Sequence, residues 1–502
     1  MQLNIFSAMY PRYKINKPIR LYTLFSGYDS QALALKYLGV EFEHYKTCEW
    51  AVNSIQALKD LHFKQDHTDY STPHTHTHIV EMLANYGISQ NYNNPMTLEQ
   101  IKRKPEIWAR TVYNNIQATH NLVDISKAHL KFEDEYCNIV TYSFPCQDLS
   151  LSGKGAGMDK GSGTRSSLLW QVERILNECD VLPDVLIMEN VPMVHSKDNV
   201  ESFNKWQFEL ERLGYTNYWQ DLNSKDYGVP QNRDRCFMVS ILGNWYYEFP
   251  QPIKLEKVLK DVLEDEKDVK EKYYLSEELI ERIRKWKGFE NPLDDINEDR
   301  ICSTITTHCG KDSNGMQLVE VVGNYSPSGH NATRIVDPEG IAPTVMENHG
   351  SVTAIPIKNA TKQGYLLAEE GDGIDISTRM ESHRGTVQKG MAQTITTAGG
   401  DNVGVVVKDT ENYIQWQQKG LLDIDCRAYK EDKIAPTTTT PHTKILLNNL
   451  KIRKLTPKEC FRLMGVRDCD SDNITGSDAN KYHLAGDSIV VDVLMAIFKQ
   501  ML

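Results

Sequence analysis

A cysteine in the first half of the chain stands where a nucleophile could act. The segment Phe144-Pro145-Cys146-Gln147 follows a short apolar run and precedes a loop rich in Gly and Ser. A thiol at such a junction is exposed, held by a rigid strand and preceded by a proline of fixed φ, which suits covalent catalysis. The competing interpretation is structural, because an isolated cysteine is more often a small buried hydrophobic residue.

A carboxylate follows another apolar run, at Glu189 in the segment Met188-Glu189-Asn190-Val191-Pro192. Ligands of parallel sheets bind beyond the carboxyl ends of the strands, and a carboxyl group placed there can hold or donate a proton. Taken alone, Glu189 fits a helix N-cap or an ion-pair partner equally well.

Two arginines alternate further along the chain, at Arg233 and Arg235. Alternate residues of a strand point to the same side, so both side chains could contact phosphates or the edge of a base. The alternative is a surface ladder of ion pairs with Asp226 and Asp234.

Four apolar runs predict the strands that would position these side chains. They lie at residues 19–25, 139–142, 185–188 and 236–241, and a helical pattern over residues 32–38 follows the first run. Short apolar strands that alternate with helices are typical of an α/β fold with a mostly parallel sheet. A nicotinamide-dependent dehydrogenase on a similar sheet is excluded, because no GxGxxG loop follows the first strand.

Length and composition fit a globular protein of two or three domains. The 502 residues are 40% hydrophobic and 25% charged, which argues against disordered, collagen-like and disulfide-framework classes. The ten cysteines form no CxxC pair, and neither a signal peptide nor a long apolar run is recognisable, so we expect a cytoplasmic protein with reduced thiols. A formal net charge of −12 is unusual for a nucleic-acid binder, which needs local positive charge.

The chain changes character near residue 250. Apolar residues at helical spacing over 255–263 predict an amphipathic surface helix within a charged connector at 249–299. Residues 300–448 are β-rich and repeat a Thr-containing element, which is either a scaffold of turns or a set of equivalent loops that offer hydroxyls and amides to a ligand. Residues 449–502 return to helix and strand and end in an amphipathic stretch over 489–502.

Histidines cluster in one polar segment, at His62, His67, His74, His76 and His78. No accompanying cysteine or carboxylate spacing supports a zinc site, so we interpret the segment as a solvated loop and predict no metal.

Taken together, these segments resemble the C5-cytosine-specific DNA methyltransferase family of bacterial and phage type. The resemblance covers about 19–245 and 450–502 and rests on nine motifs in the family's order: Phe25-Ser26-Gly27, Glu49-Trp50, Asp124-Ile125, Pro145-Cys146-Gln147, Arg165 to Leu168, Glu189-Asn190-Val191, Gln231-x-Arg233-x-Arg235, Arg453 to Gly465, and Gly486-Asp487-Ser488 with the three residues that follow. It implies a Rossmann-like, S-adenosylmethionine-dependent catalytic domain over 18–248, completed by 449–502. The smaller β-rich target-recognition domain would then occupy 300–448.

The resemblance implies a role for each catalytic side chain. Cys146 would add to C6 of a flipped-out cytosine, and Glu189 would hydrogen-bond N3 and the exocyclic amine of that base. Arg235 would contact the carbonyl of the base, with Arg233 nearby for backbone or loop contacts. Asn190 would brace the turn before the cysteine, and the loop over 147–164 would be a mobile lid.

A cofactor site is implied in the same way. Its residues would be Phe25, Ser26, Gly27, Glu49, Trp50, Asp124, Ile125, Pro145, Leu168, Asp487 and Ser488. Glu49 would bind the ribose hydroxyls, and Asp124 would accept from the adenine amine. Trp50 and Ile125 would enclose the adenine ring, with Leu168 below it.

Two positions depart from the family's usual pattern. The first loop usually continues with further glycines, whereas this chain has Tyr28-Asp29-Ser30. The last motif usually has Asn where this chain has Asp487, which keeps an acceptor but adds a negative charge. These departures bear on cofactor contacts more than on the reaction.

Double-stranded DNA is the partner that the resemblance implies. The residues expected to contact it are Gln147, Ser150, Lys154 and Arg165 of the catalytic domain and Thr306, Thr344, Thr396 and Thr439 of the repeats. Because the chain is acidic, positive potential should be confined to the cleft. The residues expected to supply it are Lys154, Arg165, Arg233 and Arg235, with Arg334, Arg379, Arg384 and Arg427 of the recognition region. We further expect a monomer, with any cognate restriction endonuclease acting separately, and the several repeats could serve more than one target sequence. The alternatives are an RNA cytosine-5 methyltransferase and a catalytically silent DNA-binding relative.

Overall fold

The chain divides into two compact units. One comprises Met1–Lys257 with Cys460–Leu502, and the other comprises Val258–Glu459. The computed structural model describes residues 10–145, 149, 157–257, 259–273, 321–324, 334–336, 354–358, 365–369, 371–375, 386–393, 403–408 and 450–502.

A six-stranded sheet in the order β2-β1-β3-β4-β7-β5 forms the centre of the first unit. The strands of this unit are β1 (Ile19–Leu24), β2 (Phe42–Cys48), β3 (Cys137–Tyr142), β4 (Val185–Asn190), β5 (Tyr215–Asn223), the short β6 (Gln231–Asn232) and β7 (Asp234–Leu242). Strands β1 to β4 are parallel, whereas β7 is antiparallel to both β4 and β5. The four predicted strands and the α/β class are confirmed.

The central strands are buried on both faces, as their apolar sequences require. Every residue of β1, β3 and β4 is buried, because helices cover both sides of the sheet. Arg20 of β1 is buried as well, although it is charged. Its guanidinium lies 2.7 Å from Glu43 and 3.0 Å from Glu133, and it packs 3.6 Å from the centre of the Tyr136 ring. A buried charge is tolerated here because it is paired and packed against an aromatic ring.

Helices connect and cover these strands. They are α1 (Ser30–Tyr37), α2 (Val52–His62), α3 (His76–Tyr86), α4 (Leu98–Lys102), α5 (Glu106–Ala118), α6 (Leu169–Glu178), α7 (Val200–Arg212), α8 (Pro457–Leu463), α9 (Asp468–Ser471), α10 (Asp478–Asp487) and α11 (Val491–Lys499). Helix α11 packs on α1 and buries Val491, Leu494 and Phe498, which confirms the amphipathic C-terminal stretch. Trp206 of α7 donates to the Tyr142 hydroxyl at 3.0 Å and so ties that helix to β3.

Helices α2 to α5, which lie between β2 and β3 in the sequence, pack together around a core of their own. This core contains Ile79, Leu83, Val112 and Ile116. The prediction of a solvated loop for the whole histidine segment is wrong, because His76 and His78 belong to α3. The reason is local: the Thr75 side chain accepts from the backbone N–H of His78 and thereby starts the helix.

In the second unit the described residues are mainly short strands. They are β8 (Val321–Asn324), β9 (Arg334–Val336), β10 (Ala354–Lys358), β11 (Tyr365–Glu369), β12 (Gly373–Asp375), β13 (Val387–Gln388), β14 (Ala392–Gln393), β15 (Val403–Lys408) and β16 (Leu450–Lys454). A four-stranded sheet has the order β13-β12-β15-β16, and β8–β9 and β10–β11 are antiparallel pairs. The repeat threonines, Thr306, Thr344, Thr396 and Thr439, lie outside the described residues.

The amphipathic helix predicted over 255–263 is wrong. Residues 251–257 have no regular secondary structure, and Leu259–Val262 forms a single 3₁₀ turn. The charges oppose a helix dipole, because Lys257 lies near the start of the stretch and Asp261 and Glu264 lie near its end.

Candidate active site

The carboxyl ends of the four parallel strands bring the predicted residues to one edge of the sheet. The loop after β1 carries Phe25 to Gly27, and Glu49 follows β2. Ser143 to Pro145 follow β3, and Glu189 and Asn190 close β4. This edge is where open α/β sheets bind their ligands.

Glu189 and Arg235 form an ion pair at this edge. The Arg235 Nε atom lies 3.0 Å from Glu189 Oε1, and the Glu189 side chain is only 6% exposed. The other carboxylate oxygen, Oε2, accepts from the Ser143 hydroxyl at 2.5 Å. Both oxygens are therefore held by the protein, which fixes the plane of the carboxylate.

Ser143 is a site residue that the sequence analysis missed. The signal was present, because β3 and β4 pair in parallel with Tyr142 beside Met188. The residues that come next on the two strands, Ser143 and Glu189, are then neighbours.

Side chains from two other segments hold the turn that leads to the predicted nucleophile. Asn190 is buried and donates from Nδ2 to the Phe144 carbonyl at 2.9 Å. Ser166 is also buried and donates to the Pro145 carbonyl at 2.6 Å. Cys146 itself, with Gln147, Ser150 and Lys154, lies outside the described residues.

Arg233 points to a different place from Arg235. It is 3% exposed, and its Nη2 atom donates to the carbonyls of Gly486 at 3.0 Å and Ser488 at 2.7 Å. Gln231 likewise donates from Nε2 to the Leu463 carbonyl at 2.7 Å. The surface ion-pair ladder is therefore wrong, and the expectation that Arg233 adds to the positive potential of the cleft is corrected: its charge is buried against the C-terminal segment.

Glu49 is the centre of the predicted cofactor edge. Its Oε2 accepts from the backbone N–H of Gly27 at 2.9 Å, and its Oε1 accepts from that of Ala51 at 2.7 Å. Asn121 holds the Glu49 backbone on both sides, at 2.9 Å for each hydrogen bond. Burial, with a smaller contribution from nearby Asp487, raises the pKa of Glu49 to about 7 against these hydrogen bonds.

The residues predicted around the adenine lie on two sides of this edge. Trp50 packs against the α2–α5 cluster, whereas Ile125 and Leu168 pack in the cluster over the sheet. Asp124 accepts from the Ser126 hydroxyl at 2.7 Å and lies 3.3 Å from Lys127. Its pKa is lowered, since these partners outweigh the opposing effect of burial.

The C-terminal segment adds groups to the same edge. A side chain placed on Gly27 would lie 3.9 Å from the hydroxyl of Ser488, so the two segments adjoin. Asp487 lies 3.0 Å from Nδ1 of His483, and the His483 ring stacks on Tyr92 at 3.6 Å. Sequence analysis missed Tyr92 and His483, because only the fold brings residues so distant in sequence together.

Two further predictions concern the contact of Arg165 with DNA and the absence of a metal. Arg165 donates to the Asn93 side chain at 3.2 Å, and its contact with DNA stays a prediction. Within the described part of the chain, the metal-ligand types that group within 4.8 Å of one another are His195, Asp221 and Cys236. Asp221 accepts from His195 at 3.0 Å, and burial raises the pKa of the Cys236 thiol.

Across the described segments, the structure contains no helix of the length and apolarity that a membrane crossing requires.

Comparison with known proteins identifies the family of this chain. The sequence pattern of the family described as "C-5 cytosine-specific DNA methylase" matches residues 83–502. The orphan methyltransferase M.SssI of Spiroplasma monobiae is 38% identical over 264 residues, which are 50% of this chain and 67% of that protein. The type II methyltransferase M2.ScrFI of Lactococcus lactis subsp. cremoris is 34% identical over 267 residues, 52% of this chain and 71% of that one. The orphan methyltransferase M.SPRI of Bacillus phage SPR is 26% identical over 408 residues, 78% of this chain and 88% of that one. The chain belongs to the C-5 cytosine-specific DNA methylase family.

Proposed function

We propose that this chain, as a DNA cytosine-5 methyltransferase, activates its base with Cys146 and holds it with Glu189 and Arg235. The observation that supports this assignment is the Glu189–Arg235 ion pair beside the turn that leads to Cys146. A carboxylate and a guanidinium held together at the ligand-binding edge can contact the polar edge of a pyrimidine at two points.

The side chains at the cofactor edge fit S-adenosylmethionine. Each Glu49 oxygen accepts one backbone N–H, which leaves lone pairs for the ribose hydroxyls. Glu49 and Asp487 together supply negative charge suited to a cationic sulfonium. When bound, S-adenosylmethionine supplies the electrophilic methyl group that C5 of cytosine takes up.

The work of the protein is to make C5 nucleophilic. The Cys146 thiolate forms a bond to C6, and the π electrons of the C5–C6 double bond move to C5. Glu189 hydrogen-bonds N3 and the exocyclic amine, and Arg235 faces the base carbonyl, so charge that develops on the ring is stabilised. Loss of the C5 proton and departure of the thiolate then restore the double bond in 5-methylcytosine.

The base must leave the duplex for this chemistry, because C6 is covered by its neighbours in the stack. We therefore propose base flipping, with Gln147, Ser150, Lys154 and Arg165 as contacts to DNA around the cleft. The second unit would read sequence through Thr306, Thr344, Thr396 and Thr439. A monomer in the cytoplasm that serves restriction–modification or phage self-protection fits this activity.

Trapping on a modified substrate tests the proposal. Duplex DNA that carries 5-fluorocytosine cannot lose the C5 substituent as a proton, so the enzyme should remain covalently attached when S-adenosylmethionine is present. The C146S variant, which lacks the thiol, is the matched control and should give no adduct. Absence of an adduct with the wild-type protein would support the catalytically silent alternative, and methylation of tRNA in preference to duplex DNA would support the RNA alternative.

Sequencing of DNA from a host that expresses the protein would test recognition. Methylated cytosines in several sequence contexts would support more than one target, whereas a single context would exclude it.

A further inference from the structure

Asp29 is a fully buried carboxylate in the first loop, where the family usually has glycine. Its φ of +66° and ψ of +69° lie in the left-handed region, and its side chain is 0% exposed. Asp tolerates this backbone better than most residues, but a buried carboxylate is rare unless other groups pair with it. The mechanism proposed above gives this residue no role.

The Asp29 carboxylate contacts three segments of the chain, and the Asp29 backbone closes the loop. Its Oδ1 accepts from the backbone N–H of Ala32 at 3.1 Å, which caps α1. Its Oδ2 accepts from the Thr23 hydroxyl near the end of β1 at 2.7 Å and lies 2.8 Å from Nε2 of His44 in β2. The Asp29 backbone N–H donates to the Ser26 carbonyl at 2.8 Å, which closes the loop.

His44 is the nearest side chain to this carboxylate from β2. The pKa of Asp29 is lowered: burial acts to raise it, but His44 and the Thr23 hydroxyl outweigh that effect. The second histidine in the cluster, His62, has its ring 5.3 Å from that of His44. Burial and the neighbouring His44 lower the pKa of His62 to about 4, so His62 stays neutral near pH 7 while it contacts the Tyr28 carbonyl at 2.9 Å.

The segment that Asp29 closes carries the link to the cofactor edge. Gly27 lies between Ser26 and Asp29, and its N–H donates to Glu49, the proposed ribose ligand. A displacement of the loop would therefore move or release the Glu49 carboxylate.

We propose that Asp29 and His44 are positioning residues that hold residues 26–29 in the conformation that binds S-adenosylmethionine. The buried Asp29–His44 contact does by side chains what a tight glycine turn does by backbone shape alone. This inference rests on the proposed function, because it needs Glu49 to bind the cofactor.

The test is isothermal titration of S-adenosylmethionine into the full chain and its variants. D29N keeps the size, the left-handed backbone and an acceptor for Ala32 but loses the charge that faces His44. D29N and H44Q should each raise the Kd by about tenfold, the cost of losing one close polar contact to a buried carboxylate. The double variant should be no weaker than the singles, because each single change already removes the pair. D29G permits the same φ without the carboxylate and should also bind weakly.

Asp470 provides the matched control. It is 5% exposed and lies 2.6 Å from the Lys36 ammonium, while accepting from the Tyr37 hydroxyl at 2.7 Å, at the far end of α1. D470N should lower the melting temperature while the Kd for S-adenosylmethionine stays within about twofold of wild type.

Three results would overturn the inference. D29N and H44Q that melt earlier but bind S-adenosylmethionine as wild type would show a purely structural pair. Additive losses in the double variant would show that the two residues do not act together, and a D29G variant with wild-type affinity would show that backbone shape suffices. If D29N does not fold, H44Q decides on its own. A wild-type protein that binds no S-adenosylmethionine would overturn the proposed cofactor site and, with it, this inference.

Discussion

Among single residues, Glu49 should couple its own protonation to the binding of S-adenosylmethionine. Its pKa of about 7 describes the chain without cofactor, and a cationic ligand that donates hydroxyls favours the ionised form. Binding should therefore release a proton below about pH 7, and affinity should rise with pH up to about 7 and then level off. Calorimetric titration of S-adenosylmethionine between about pH 6 and about pH 8, in buffers of different ionisation enthalpy, measures both effects. E49Q should bind weakly with no such pH dependence, and an unchanged profile in E49Q would assign the proton elsewhere.

Glu189 and the Ser143 hydroxyl that holds it should differ in their contribution to catalysis. E189Q removes the group proposed to face N3 and should lower kcat by about 10²- to 10⁴-fold. S143A removes one hydrogen bond to the carboxylate and should lower kcat by about threefold to tenfold. Single-turnover methylation of duplex DNA at saturating S-adenosylmethionine measures both, and S143T, which restores a hydroxyl, is the control. An E189Q variant as fast as wild type would contradict the role given to this residue.

At the scale of elements, the turn before Cys146 depends on the strand and helix beside it. N190A leaves the Phe144 carbonyl without its donor, and S166A does the same for Pro145. Because Cys146 follows directly, both variants should slow covalent trapping on 5-fluorocytosine DNA by about tenfold or more while S-adenosylmethionine still binds. Trapping at the wild-type rate in both variants would show that the turn does not need these contacts.

Arg233 should matter for the assembly of the first unit. R233A leaves two buried carbonyls, those of Gly486 and Ser488, without this donor, at a cost of about 2–4 kcal/mol. R233K keeps the charge but cannot reproduce the planar fork, so it should recover only part of the loss. Scanning calorimetry of the two variants measures the difference, and an unchanged transition in R233A would contradict an anchoring role.

Local sequence periodicity predicts the elements that depend on neighbouring residues. It misses those features that depend on contacts between residues far apart in sequence. Strands β1, β3 and β4 were predictable because each is a short apolar run buried on both faces. The helix over 255–263 was not, because the charges at its two ends outweigh its apolar spacing. The motif series placed Glu189 and Arg235 at one site, whereas the partners His44 and Tyr92 depend on contacts that no local pattern specifies.

For the whole molecule, the acidic balance limits how DNA can be held. The net charge is −12, and even residues 301–450 carry 13 Lys and Arg against 17 Asp and Glu. With Arg233 buried and Arg235 paired with Glu189, few groups of the first unit are left to supply positive charge for DNA. The salt dependence of binding to non-specific duplex should therefore be less steep than a log–log slope of about −5, as fluorescence anisotropy would measure. A slope as steep as that of a broadly basic protein would contradict this distribution of charge.

The first unit is assembled from two stretches that are far apart in the chain, and this has a consequence for synthesis and for engineering. Helix α11 and the carbonyls that receive Arg233 come from Cys460–Leu502, so α1 leaves the ribosome about 450 residues before the helix on which it packs. A nascent chain should therefore remain inactive until residues 460–502 have been synthesised. The same arrangement suits a split enzyme. Two fragments, divided within Val258–Glu459 and fused to two interacting proteins, should regain methylation only when they reassemble. Methylated cytosines would then mark the DNA at which the two proteins meet.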